Sequence, residues 1–113
     1  MSRRSQVLKQ LLDFRNKRNW KHFHSPQNIV KSIVLEAAEV LEIFQWHNMD
    51  TELSPNQKQR LKEELADVYN WLILLAHDLD IDIEKEALNK IKSNQQKYPP
   101  EKVRDKAKKY TEL

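Results

Sequence analysis

The sequence predicts an all-α fold on three observations. Apolar residues recur at helical spacing almost from end to end, Ser-Pro and Pro-Pro steps supply the breaks, and no stretch alternates polar with apolar as a strand does. The chain has 113 residues and no glycine. A bundle of about four helices in one domain, 1–113, is the simplest arrangement. A chain this small leaves apolar helix faces for partner subunits to cover, so a homo-oligomer is expected.

The first helix is expected over residues 5–17, where Val7, Leu8, Leu11, Leu12 and Phe14 give the apolar spacing. The aromatic and basic stretch NWKHFH then leaves the helix. Ser25-Pro26 reads as an N-cap with proline at the first helical position, opening a second helix that runs to about Trp46 or Asn48. Ser54-Pro55 repeats the device. Gln57 completes a capping box there, and the third helix should extend to about Leu79. Asp80 or Asp82 is the cap of the fourth helix. That helix faces Ile83, Ala87, Leu88 and Ile91 inward and stops before Pro99-Pro100, because proline disfavours helix in the residue before it. A basic tail follows from about residue 101.

The chemistry concentrates in two acidic pairs, Glu36-x-x-Glu39 and Glu64-x-x-Asp67, set in apolar segments and repeated at an offset of 28 positions. Residues three apart lie on one helical face, so each pair presents two carboxylates side by side. On a helical wheel Ile29, Ile33, Ala37, Val40 and Phe44 form one apolar face, with Glu36, Glu39 and Trp46 on a flanking strip. In the second segment Leu61, Leu65, Val68, Leu72 and Leu75 take the apolar face, and Glu64, Asp67 and Trp71 the strip. A single such pair is usually a solvated feature of a helix, but two matched pairs point to a divalent-metal site. Partly buried carboxylates this close need a cation. Mg²⁺, or Mn²⁺ in its place, suits an all-oxygen donor set, and the absence of cysteine excludes thiolate sites.

Around these acids stand Trp20, Lys21, His22, Phe23 and His24, a composition suited to a base and sugar pocket at a loop that can close on a ligand. Trp46 and Trp71 can stack on a nucleobase or serve as core or subunit-contact residues. Lys90, Asn94 and Lys97 share one edge of the fourth helix, able to meet phosphate oxygens or simply to face solvent. Without glycine, the P-loop and the dinucleotide fingerprint are excluded. A net charge of +3 and a pI near 9.1 suit polyanionic ligands but are too mild to require nucleic acid. No run of transmembrane length and no signal-peptide pattern is present, so no membrane association and a cytoplasmic location are the default expectation.

With these residues in place, the chain resembles the MazG-like, all-α nucleotide pyrophosphohydrolases, and within them is most similar to the dCTP pyrophosphatase branch. The blocks RNWKHFHSPQN, LEAAEVLEIFQW, LKEELADVYNWLILLA, NKIKSNQQKYP and KKYTEL carry the likeness over nearly the whole length. The resemblance implies Mg²⁺-dependent hydrolysis of a nucleoside triphosphate, dCTP or a related pyrimidine first, to the monophosphate and pyrophosphate. It implies Glu36, Glu39, Glu64 and Asp67 as metal-ligating catalytic residues, residues 20–24 with Trp46 and Trp71 as nucleoside contacts, and Lys90 and Asn94 near the phosphates. It also implies sites assembled across subunits, in a homodimer or homotetramer. Trp71 and Leu11 depart from the pattern, where relatives carry Tyr and His respectively, and both departures bear on base preference. The competing readings are a helical module that binds nucleic acid through its basic tail, and a nucleotide sensor. Retention of all four acids ranks catalysis above them.

Overall fold

Serine hydroxyls open three helices of the computed structural model, which describes residues 1–113. Ser2 caps α1 (Arg3–Lys17), Ser25 caps α2 (Pro26–Ile43) and Ser54 caps α3 (Pro55–Asp78), each accepting from the backbone N–H three residues on. Pro26 and Pro55 sit where a missing N–H costs nothing. The Gln57 side chain accepts from the Ser54 N–H, completing the expected capping box. Asp82 caps α4 (Ile83–Lys97) through the Lys85 N–H. A fifth helix, α5 (Pro100–Val103), is a single turn started by Pro100, so the tail is not featureless; a 3₁₀ turn follows at Tyr110–Glu112. No helix is long and apolar enough to cross a membrane.

The lack of glycine is met by Asn and Asp at the helix ends. Asn19 (φ 53°) and Asp80 (φ 55°) take the left-handed conformation that their short polar side chains tolerate. After α1, Asn19 N–H donates to Asn16 O and Trp20 N–H to Arg15 O. After α3, Asp80 N–H donates to His77 O and Ile81 N–H to Ala76 O. Both are Schellman motifs, which satisfy the last carbonyls and turn the chain sharply. The first of them fixes the start of the aromatic stretch, whose 3₁₀ turn spans Lys21–Phe23.

The chain divides into two compact units, Met1–Ile81 and Asp82–Leu113. In the first, α3 packs along α2 and also against α1. Ile29 and Ile43 of α2 and Ile73, Leu74 and Ala76 of α3 are the buried apolar residues. Arg15 of α1 is buried too. Its guanidinium forms two parallel hydrogen bonds to Asp78 at the end of α3, at 2.7 and 2.9 Å, with the pair 3% and 11% exposed. In the second unit, the Tyr110 ring meets Tyr98 edge-on at 6.0 Å and lies 4.9 Å from the Lys97 ammonium, which pins the chain's end to the end of α4.

Several expected details differ. The second helix ends at Ile43, not at Trp46 or Asn48, because Phe44 and Gln45 close tighter turns onto Leu41 and Glu42. On α2, Ala37 and Phe44 are exposed and Ile43 takes the inward place. On α3, Leu65 and Leu72 are exposed, while Ile73, Leu74 and Ala76 are buried. The apolar arcs are wider than the faces that one chain can cover, and α3 is shared between two partners. On α4, Leu88 and Ile91 are exposed; the only other elements of its own unit are a one-turn helix and a 3₁₀ turn.

The Arg15–Asp78 pair is the polar tie between α1 and α3. Replacing Asp78 with Asn should cost about 3 kcal/mol in urea unfolding, because the guanidinium stays buried without its counter-charge. Arg15 holds the Asp78 pKa below its ordinary 3.8. The stability this carboxylate contributes is therefore present above that pH and lost as the pH falls through the lower, folded value.

Candidate active site

Helical spacing alone places Glu36 with Glu39 on α2 and Glu64 with Asp67 on α3; packing of the two helices then brings the pairs together. Glu36, Glu64 and Asp67 each offer an oxygen within 4.8 Å of the others. Glu39 completes the group, interacting with both Glu36 and Glu64. As carboxylates these side chains are acceptors only, and Oε2 of Glu36 and Oε2 of Glu64 are buried without a donor. The Glu39 side chain first, then desolvation and the charges of Glu39, Glu36 and Asp67, push Glu64 up to about 7. Burial first, then the Glu39 side chain and the Asp67 charge, raise Glu36, with Glu64 acting in the opposite direction. An oxygen-only, anionic cluster with orphaned buried lone pairs fits a hard divalent cation.

Beside the cluster opens a cavity of about 560 Å³, with Glu36 and Asp67 on its wall and α1 opposite. Trp20, His24 and Trp71 line it, as the sequence led us to expect. Trp71 meets His24 edge to face at 5.2 Å, and Trp20 meets Phe14 likewise at 5.8 Å. Arg18 lies 3.6 Å over the Phe14 ring and steadies that wall. His24 is held neutral: desolvation and the Arg15 charge lower its pKa, and its Nδ1 is buried without a partner.

Within the first unit, Lys21, His22, Phe23 and Trp46 are not on this wall. Lys21, His22 and Phe23 are exposed on the 3₁₀ turn, with the His22 and Phe23 rings 4.0 Å apart and tilted by 40°, although the Lys21 charge is felt at His24 and Asp78. Trp46 is 90% exposed. Its predicted alignment with Glu39 fails because α2 stops at Ile43, and it borders a separate open cavity with Glu42 and Arg60. Lys90 and Asn94 lie one turn apart on α4, in the second unit.

Sequence reasoning missed Gln10, Arg15 and Asn70, all on the cavity wall. Spacing could have found Asn70, since Asp67, Asn70, Trp71 and Leu74 share one helical face. Gln10 likewise falls between Val7 and Phe14. For Arg15 there was no local signal, because its partner is 63 positions away.

Residues 31–113 match the MazG-like family. The chain is 37% identical over 106 residues to dCTP pyrophosphatase 1 of Mus musculus, and 37% to that of Homo sapiens, each alignment covering 89% of this chain. It spans 62% of the length of those relatives. A crystal structure of a pyrophosphatase from Archaeoglobus fulgidus superposes with a TM-score of 0.75 at 34% identity, covering 88% of this chain and 94% of that one.

The raised pKa of Glu64 has a measurable sign. Without metal, its contribution to stability is complete below its ordinary 4.5 and is lost as the pH rises to about 7. The melting temperature of Glu64→Gln minus that of the unaltered protein, both metal-free, should therefore grow between pH 4.5 and pH 8. Adding Mg²⁺ should raise the unaltered protein's melting temperature more than the variant's.

Proposed function

The chain belongs to the MazG-like family, and on that premise we propose that it is a nucleoside triphosphate pyrophosphohydrolase, dependent on Mg²⁺ or Mn²⁺, that converts a deoxynucleoside triphosphate to the monophosphate and pyrophosphate. The observation that carries this reading is the carboxylate cluster of Glu36, Glu64 and Asp67, with Glu39 beside it, at the edge of an aromatic cavity. A pyrimidine of the dCTP type is the preferred substrate, in keeping with the names of the mammalian relatives. The whole of 1–113 is taken as one domain of the family, working in the cytoplasm.

Glu36, Glu39, Glu64 and Asp67 would hold the cation. When bound, it supplies positive charge for the triphosphate and for the negative charge that builds on the phosphorus oxygens. The residues of the chain do the rest. The aromatic walls stack the base and exclude water from its faces, which sets the triphosphate toward the acids. Water attacks the α-phosphorus, the bond from that phosphorus to the bridging oxygen breaks, pyrophosphate leaves, and a carboxylate of the cluster takes the proton from water.

Uncovered apolar residues support the homo-oligomer. Val30, Val34 and Leu41 form a stripe on α2, and Leu65 and Leu72 are exposed on one face of α3; Leu41 is 70% and Leu65 52% exposed. We take this surface as the contact between copies, with the exposed Trp46 near its end available to a neighbouring subunit. Leu41→Asp should lower the mass seen in sedimentation to that of a smaller species.

Turnover is tested with a panel of triphosphates in an assay that separates pyrophosphate from single phosphate release. Glu39→Gln keeps the shape of the side chain and removes a negative ligand. It should lower kcat/KM at limiting Mg²⁺ by about 100-fold or more. Near-native turnover by that variant would remove Glu39 from the metal site, and salt-sensitive nucleic-acid binding with no pyrophosphate release would favour the binding-module reading.

A further inference from the structure

Asn70 is a polar group of the cavity that the chemistry above leaves unused. On α3 it follows Asp67 by three residues, directly precedes Trp71 and stands one turn before Leu74, so it lies between the carboxylate end and the aromatic end of the wall. Its amide makes no hydrogen bond within the chain. Asp67, by contrast, belongs to the cation cluster, and Arg15 is committed to Asp78 through two hydrogen bonds.

Charge decides what the amide faces. Among the lining residues the Arg15 cation is paired with Asp78 and the His24 pKa is lowered, so no unpaired cation lines the cavity beyond the carboxylates to hold phosphate. Its aromatic walls suit a neutral planar ring. A primary amide presents one acceptor and one donor side by side, the complement of a ring edge that carries an adjacent amino donor and nitrogen acceptor. Phosphates then lie toward Glu36 and Asp67, and the ring edge comes to Asn70.

Resting on the triphosphate reading, we propose that Asn70 is a specificity-determining residue that reads the 4-amino group and ring N3 of a cytosine-type base. Gln10, the other amide of the wall, comes from α1 and serves as the control.

The test compares kcat/KM for dCTP with that for the deoxyribonucleoside triphosphate of 2-pyrimidinone, which lacks the 4-amino group. The unaltered protein should favour dCTP by about 10-fold or more, and Asn70→Leu and Asn70→Ala should compress the ratio to near one. Melting temperature and Mg²⁺ affinity should stay unchanged, since the amide holds nothing within the chain and ligates no metal. A ratio retained in both Asn70 variants, or lost only in Gln10→Leu, overturns the assignment. Loss of the fold in both Asn70 variants does so too, by giving the side chain to structure. If the unaltered protein turns over triphosphates without distinguishing the two bases, this inference alone falls. If it releases pyrophosphate from none, the proposed function falls with it.

Discussion

Mutual repulsion among four carboxyl groups, held across the seam between α2 and α3, is the constraint around which the first unit is organised. Glu36, Glu64 and Asp67, with oxygens within 4.8 Å of one another, push the helices apart, and the apolar contacts of Ile29, Ile43, Ile73 and Leu74 must oppose that push. The strain is local and reversible. A proton relieves it at lower pH, and a bound cation would relieve it at higher pH, so the cluster that weakens the bare protein would favour a metal-bound form. Such a site contributes to binding what it withholds from stability.

The cavity beside the cluster is built on the opposite principle. Its one cation is paired, its imidazole is neutral and its remaining walls are mostly aromatic or aliphatic. Strongly anionic and neutral regions therefore adjoin along one face of α3, where Asp67 and Trp71 are a single turn apart. A molecule with a charged end and a flat uncharged end matches that sequence of environments, and one lacking either end matches only half of it.

Much of this was legible from residue order. Ser25-Pro26, Ser54-Pro55 and Pro99-Pro100 marked helix boundaries because caps and proline act over a few residues, and the Glu-x-x-Glu and Glu-x-x-Asp spacings fixed which carboxylates pair within a helix. Trp20, His24 and Trp71, proposed as nucleoside contacts on composition and resemblance, line the cavity. What stayed hidden depends on contacts between distant segments. The end of α2 at Ile43 moved Trp46 off the acid strip, the division of α3 between two neighbours decided that Ile73 and not Leu72 is buried, and nothing near Arg15 announced Asp78. The left-handed turns at Asn19 and Asp80 were similarly obscure, because either residue is common elsewhere in helices and loops.

The span between Arg15 and Asp78 also bears on how the protein comes into being. Ordering a loop costs more entropy as it lengthens, so the short connection lets α2 and α3 join before α1 can dock. During synthesis the first helix emerges early, yet its anchoring carboxylate is made 63 residues later. The nascent chain thus carries an amphipathic segment that waits for its receptor, and the hollow between them exists only once that last piece has settled.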